Sequence, residues 1–253
     1  MEARRILHGY WLYVDPVVFG RDDLMFFFKG DWKREDALKA LAVDDVAFVA
    51  WKLDGALSVQ TWPSDRNRPL KELTSTLGTT PTAQTLTEPE EKPRLSAADW
   101  RIMDALVEDP TMPLEQLTEK TGLSPKTIRK HLQSLLQNEI IFIMPRLGSL
   151  ADSGDLVYHL SVTGKIGFNE LRRVLGEAFL ISSTHQPPMK YLLCRANDLS
   201  DVTIRTQAAK KLPGVASVEL TLNRELLVAR DFVHAQIRRK LREWQDAHSS
   251  TVN

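Results

Sequence analysis

Apolar positions along this chain follow two periods, and the shift between them divides it into three parts. LMFFFKG, from Leu24, reads as a strand, DWKREDALKALA as a helix, and VAFVAWKLDGALSVQTW as two strands joined at Asp54-Gly55, the strongest short hairpin signal. RPLKELTSTLG then reads as a helix, and TAQTLTE alternates like an edge strand. After residue 150 the same order returns in DLVYHLSV, a helix from about Lys165 to Gly176, AFLISST, KYLLCRA, a helix from about Leu199 to Leu212, and VASVELTLN. Right-handed split crossovers place both helices of each copy on one face of a four-stranded antiparallel sheet, which is the ferredoxin-like βαββαβ arrangement. The other face stays bare in a lone copy. Phe26, Phe28, Val49 and Trp51, or their alternates, would leave an apolar patch there, so the sheets are expected to pack face to face. Two partners fit: another chain, giving a homodimer or higher homo-oligomer through sheet faces, or the second copy in the same chain.

Between the copies the spacing is helical. LSAADWRIMDALVED has Ser96 as N-cap, Asp99 three residues on, and Trp100, Met103, Leu106 and Val107 on one face. Pro113 opens a short helix that ends at Gly122, and Ser124 caps a third helix with Pro125 at its first position. Ile128, Leu132, Leu135 and Leu136 make the buried stripe of that third helix, and IIFIMPRL reads as a strand leading through GSLADSGD into a wing. At the end of the chain, DFVHAQIRRKLREWQDA sets Val233, Ile237, Leu241 and Trp244 on one face and Arg238, Arg239, Lys240 and Arg242 around the rest. That helix docks on its own domain or on a partner, or else serves as a second phosphate contact. The fold class expected is α+β: ferredoxin-like domains at 1–88 and 151–253 flank a winged helix-turn-helix at 89–150, with a C-terminal helix.

Charge narrows the chemistry. Lys plus Arg equals Asp plus Glu at 33 each in 253 residues, so any nucleic-acid site must be a local patch. The third central helix supplies one: Lys126, Thr127, Arg129 and Lys130 fall away from its apolar stripe, as a helix in the major groove requires. Ser124 and Thr127 sit at the helix start, where amides and dipole favour a phosphate. His131 lies either at the groove edge or on the plain surface. Glu115, Glu119 and Glu139 favour the competing reading, a winged helix kept for protein contacts. Cys194 in YLLCRA is expected to pack as a small hydrophobe. The start lacks a signal-peptide core, and no apolar run approaches the roughly 18 residues a bilayer needs, so a cytoplasmic protein without membrane contact is expected. HExxH, CxxC, GxSxG and glycine-rich phosphate loops are all missing, so neither cofactor nor metal is expected.

GLSPKTIRKHLQSLLQNEIIF resembles the helix-turn-helix of the Lrp/AsnC (leucine-responsive, feast/famine) transcription regulators, and LPGVASVELTLNREL is similar to the closing passage of that family's ferredoxin-like sensing module. The resemblance implies a sequence-specific regulator that binds double-stranded DNA through Ser124, Lys126, Thr127, Arg129, Lys130 and His131, with ferredoxin-like domains for assembly and possible sensing of a small, amino-acid-like effector. Candidate effector contacts are Ser64, Asp65 and Asn67 in one copy and Asn197, Asp198 and Ser200 in the other, although helix capping also accounts for these residue types. GYWLYVDPVVFG, residues 9–20, resembles the family's passage from winged helix to sensing domain, so the chain looks like a tandem of two reader–sensor units without its first reader, either lost or cut off by a start codon placed too late. HQPPMKY replaces the glycine and aspartate common at the corresponding turn, whereas LDGALSV stays closer to the family. The sirohaem decarboxylases, a related enzyme group, also join a winged helix to this sensing domain. His159, His185, His234, Arg195 and Arg205 are the residues such chemistry would use, but they form no catalytic spacing, and the chain is expected not to be an enzyme.

Overall fold

The structure, a computed structural model, describes residues 7–87, 89, 91–147, 156–185 and 188–249. The chain forms two compact units, and they cut across the three-part division expected from the sequence. Unit 1 comprises Met1–Leu7, Asp22–Pro89 and Leu147–Val228, whereas unit 2 comprises His8–Arg21, Glu90–Arg146 and Ala229–Asn253.

Unit 1 holds both ferredoxin-like copies. The first runs β2 (Asp23–Phe28), α1 (Arg34–Leu41), β3 (Val46–Lys52), β4 (Leu57–Thr61), α2 (Arg68–Leu77) and β5 (Ala83–Thr87). The second runs β7 (Leu156–Gly164), α6 (Phe168–Leu175), β8 (Ala178–His185), β9 (Pro188–Ala196), α7 (Leu199–Lys210) and β10 (Val215–Val228). All eight strands form one sheet in the order β5-β2-β4-β3-β10-β7-β9-β8. Each half thus repeats the expected ferredoxin-like strand order. The join is β10, whose first half pairs with β7 while Asn223–Val228 turns through a register shift to pair with β3. Arg34 of α1 braces this join with two hydrogen bonds to Glu225, at 2.7 and 2.9 Å.

Strand alternation sorts the side chains into two layers. Leu24, Phe26, Phe28, Val49, Leu57 and Val59 pack with Ala37 and Ala40 of α1 and Leu73 of α2, the small alanines letting the helix approach closely. In the second copy Tyr158, Leu160, Val162, Leu192 and Cys194 pack with Leu171 and Leu175 of α6 and Val202 and Ala209 of α7. Each fully buried large apolar side chain of these layers contributes roughly 1.5–3 kcal/mol. Phe26, Phe28, Val49 and Trp51 therefore face the helices, and it is their alternates that line the bare face. Those alternates meet the other copy: β5 packs against β8, Thr87 Oγ1 lies 2.6 Å from Ser182 Oγ, and Gln60 donates to the Ile181 carbonyl at 3.5 Å. Of the two partners expected for these faces, the contacts are those of the second copy in the same chain.

Unit 2 is built on α3 (Ala97–Glu108), α4 (Leu114–Thr121), α5 (Pro125–Gln137) and β6 (Ile141–Leu147). The strand β1 (Leu7–Val14) pairs with β6, and a 3-10 turn, Pro16–Phe19, follows it. The long helix α8 (Arg230–Ser249) lies against α3, with Val233 and Ile237 buried, His234 Nε2 3.0 Å from Asp104, and Arg238 donating to the same carboxylate. The helix therefore docks on α3 of the central helical segment, not on the second ferredoxin-like copy to which the sequence reading assigned it. GSLADSGD lies outside the described residues. Among the described residues, no helix is long and apolar enough to cross a membrane.

Candidate functional site

The turn between α4 and α5 follows from three residues. Gly122 takes the left-handed conformation at φ 67°, costly for a residue with a Cβ, and returns its amide to the Thr118 carbonyl at 2.9 Å. Ser124 Oγ accepts from the Thr127 amide at 3.1 Å, and Pro125 fills the first helical position, where no amide hydrogen is needed. Leu117, Ile128 and Leu135 anchor the pair of helices in the core. Leu132 is half-buried and Leu136 is 47% exposed, so the buried stripe is narrower than its sequence suggested and centres on Ile128 and Leu135.

On the opposite side Ser124, Lys126, Arg129 and Lys130 are exposed and Thr127 is half-buried. Among the described residues no carboxylate pairs with Lys126, Arg129 or Lys130, so their charge faces solvent. His131 behaves differently. Its Nδ1 lies 2.7 Å from Asp99 Oδ1, while the other oxygen of that carboxylate accepts from the Ser96 amide and hydroxyl, both at 2.7 Å. Expected as either a groove-edge contact or a plain surface residue, His131 instead fastens α5 to the start of α3 through one carboxylate.

The candidate effector residues take up helix starts. Asp65 accepts from the Asn67 amide at 3.0 Å, and Asn67 stands at the N-cap position of α2. Asp198 accepts from the Asp201 amide at 2.8 Å, and the Asn197 amide donates to the Asp201 carboxylate at 3.3 Å. Ser64 and Ser200 are exposed beside them. Of the six, Asp198 caps a helix with its side chain, while Asn67 makes no side-chain cap bond; the two sets occupy equivalent loops of the two copies.

Sequence reasoning missed the polar layer between the two sheet faces of unit 1. His159 Nδ1 lies 2.6 Å from the Tyr191 hydroxyl, which donates to Ser58 Oγ at 3.4 Å, while the Asn223 amide lies 3.5 Å from His159 Nε2. Lys52 is 7% exposed, its ammonium 5.5 Å from the Phe27 ring and 5.7 Å from that of Tyr191. Burial, with the Lys52 charge adding to it, pushes the His159 imidazole down to about 3; burial likewise lowers Lys52 and raises Tyr191. A neutral imidazole touching a phenol can hold or pass a proton, and the nearby ammonium favours an anion. Polar residues alternating through LSVQT and YHLSV were the signal, hidden because such alternation is read as a solvent face.

The remaining candidates are dispersed. Arg195 pairs with Glu177 at 3.2 Å, and Arg205 is bound to Asp201 and to the carbonyls of Leu175 and Arg195. His234 belongs to the α3–α8 contact of unit 2, and the His185 side chain lies outside the described residues. Cys194 is buried and free, its thiol pushed by burial up to about 12, as suits a small hydrophobe. Among the described residues, no group of three or more His, Cys, Asp or Glu side chains is placed to hold a metal ion.

Residues 95–141 match the family model described as winged helix-turn-helix DNA-binding. No curated protein matches the chain in sequence. Among solved structures, a siroheme decarboxylase, NirDL, is similar over 96% of this chain and 85% of its own, at 13% identity and a TM-score of 0.49. An AsnC family transcriptional regulator from Agrobacterium tumefaciens is similar over 50% of this chain and 88% of its own, at 18% identity and a TM-score of 0.27. AsnC of E. coli is similar over 50% and 89%, at 16% identity and a TM-score of 0.27. The expectation that this chain is not an enzyme is withdrawn: a structure similar over 96% of it bears the name of an enzyme, which by itself gives this chain no activity. At these identities and scores, none of the three likenesses brings an activity or ligand with it. What the comparisons give is thus the match of residues 95–141 to a winged helix-turn-helix model.

Proposed function

We propose that this chain binds duplex DNA by laying the first turns of α5 in the major groove, as a sequence-specific transcriptional regulator of the Lrp/AsnC type. The observation carrying this reading is the group of exposed cations Lys126, Arg129 and Lys130, unpaired among the described residues, on a helix whose other side is locked by Ile128 and Leu135. Lys and Arg there reach guanine acceptors or phosphates, while Ser124 and Thr127 sit nearest a phosphate at the positive end of the helix. His131 serves by holding α5 against Asp99. The described residues supply one such helix, so paired half-sites require two chains. A genome-wide binding profile of the tagged protein and of an Arg129→Ala/Lys130→Ala variant tests this. Discrete sites that vanish in the variant support it; a profile without enriched sites, or one the variant leaves unchanged, rejects it.

A second reading, decarboxylation of a tetrapyrrole like the substrate of siroheme decarboxylase, is favoured by Lys52. Its buried ammonium makes no hydrogen bond to a carboxylate among the described residues and stands beside the His159–Tyr191 pair; Asp54 and Glu219 act on it only at longer range. A carboxylate-rich substrate would provide the missing anion. Titration with sirohaem, followed by its visible absorption and by carbon dioxide release, decides this: no spectral change and no gas reject it.

A further inference from the structure

Unit 2 contains a groove of about 390 Å³ between the 3-10 turn, residues 92–95, the start of α3 and the end of α8. Val17, Leu95, Trp100 and Trp244 are among the apolar residues that line it. The other lining is unequal in charge: Lys92, Arg94 and Lys240 face a single carboxylate, Glu243. That carboxylate is already held by Arg239 at 2.6 Å and Lys240 at 3.1 Å. Lys92 is engaged by Asp15 at 3.3 Å, whereas Arg94 is exposed and has no carboxylate partner among the described residues. Flat indole surfaces beside a spare guanidinium suit a planar apolar body ending in an anion, and the volume sits at the small end of the range that ligand sites occupy.

The groove also reaches α5 at two points. Lys92 Nζ donates at 3.4 Å to the carbonyl of Asn138, the residue that caps the C-terminus of α5. Trp100 directly follows Asp99, whose carboxylate holds His131 in the middle of α5. A ligand carboxylate drawn to Arg94 would compete for the Lys92 ammonium, and a ring against Trp100 would bear on the turn that presents Asp99. We propose that this groove binds a small aromatic carboxylate and that its occupancy changes how firmly α5 is seated on α3. The regulatory meaning of that change rests on the DNA reading above; the measurements below involve no DNA, so either can fail without the other.

Calorimetric titration of the full chain with indole-3-acetate, and with indole-3-acetamide as its uncharged counterpart, tests the binding. One saturable site is expected, at least tenfold tighter for the acid than for the amide. Arg94→Ala should weaken the acid at least fivefold, leave the amide unchanged and preserve the thermal melt, since Arg94 is exposed; Arg94→Lys should restore part of the loss. Hydrogen exchange with and without saturating indole-3-acetate should alter protection of amides 131–138 at least threefold. Absence of a saturable site, or equal affinity for acid and amide, overturns the site. Unchanged exchange in α5 on a saturated protein overturns the coupling.

Discussion

His159 is nearly inaccessible to solvent, held neutral by burial and by the Lys52 charge, with its titration moved from the ordinary 6.5 down to about 3. An unfolded chain returns it to the ordinary value, so between these limits the unfolded state binds the extra proton and stability falls as pH falls. The contribution is complete above about pH 6.5 and is lost progressively as pH drops toward 3. At 1.36 kcal/mol for each unit of difference, the whole effect is about 5 kcal/mol, of which about 2–3 kcal/mol is gone by roughly pH 4.5. His159→Gln removes the titrating group and keeps a polar amide near Tyr191. It should cost about 1–3 kcal/mol at neutral pH through the disturbed hydrogen bond. Urea unfolding followed by tryptophan fluorescence at steps from pH 7 to pH 4 reads both proteins. The wild type should lose about 3 kcal/mol more than the variant across that interval, since the common titrations cancel in the difference. Parallel pH profiles for the two proteins would refute the placement of His159 in a dry inter-sheet layer.

Other outcomes follow from the same geometry. Asp99→Ala removes the Ser96 capping interactions and the His131 contact together, and should cost about 2–4 kcal/mol in denaturant unfolding of unit 2; a change under about 0.5 kcal/mol would contradict the fastening role. Gly164→Ala should fail more severely, because at φ +136° a Cβ would stand 2.1 Å from the Gly214 carbonyl oxygen and 2.9 Å from the Ala216 amide, both rigid backbone. A thermal melt of that variant within a few degrees of wild type would show that the β7–β10 crossing is looser than described. Leu135→Ala leaves a cavity beneath α5 and should cost about 2–5 kcal/mol, measured by the same unfolding.

Local signals in the sequence were strong where one element decides its own conformation. Asp54-Gly55 marked the β3–β4 hairpin, Ser96 and Asp99 marked the start of α3, and Gly122 with Ser124 marked the turn before α5. Strand order in each copy was legible for the same reason, since alternation and helical spacing switch cleanly at each loop. The rest depended on partners far away in the chain. β10 runs on to Val228 because β3 offers it an edge, and nothing within LNRELLV announces that edge. β1 pairs with β6, more than a hundred residues later, which joins His8–Val14 to unit 2. Polar residues on the hidden sheet face could not be told from a solvent face until the second copy covered them. The exposed cations of α5 were legible because helical spacing alone turns Lys126, Arg129 and Lys130 away from Ile128 and Leu135; the contact of His131 with Asp99 was not, because it crosses between helices.

Salt dependence of DNA affinity bears most directly on whether α5 meets a duplex. A bound duplex carrying the chain's preferred site, found by the binding profile, should lose affinity steeply as salt rises, because each phosphate neutralised releases condensed counterions with a slope contribution of roughly 0.9. Replacing Lys126, Arg129 and Lys130 by alanine should weaken binding and lower that slope by about 1–3, according to how many of the three meet phosphates rather than bases. Equal affinity and equal slope in the wild type and the triple variant would contradict the assignment of α5 as the DNA-reading element.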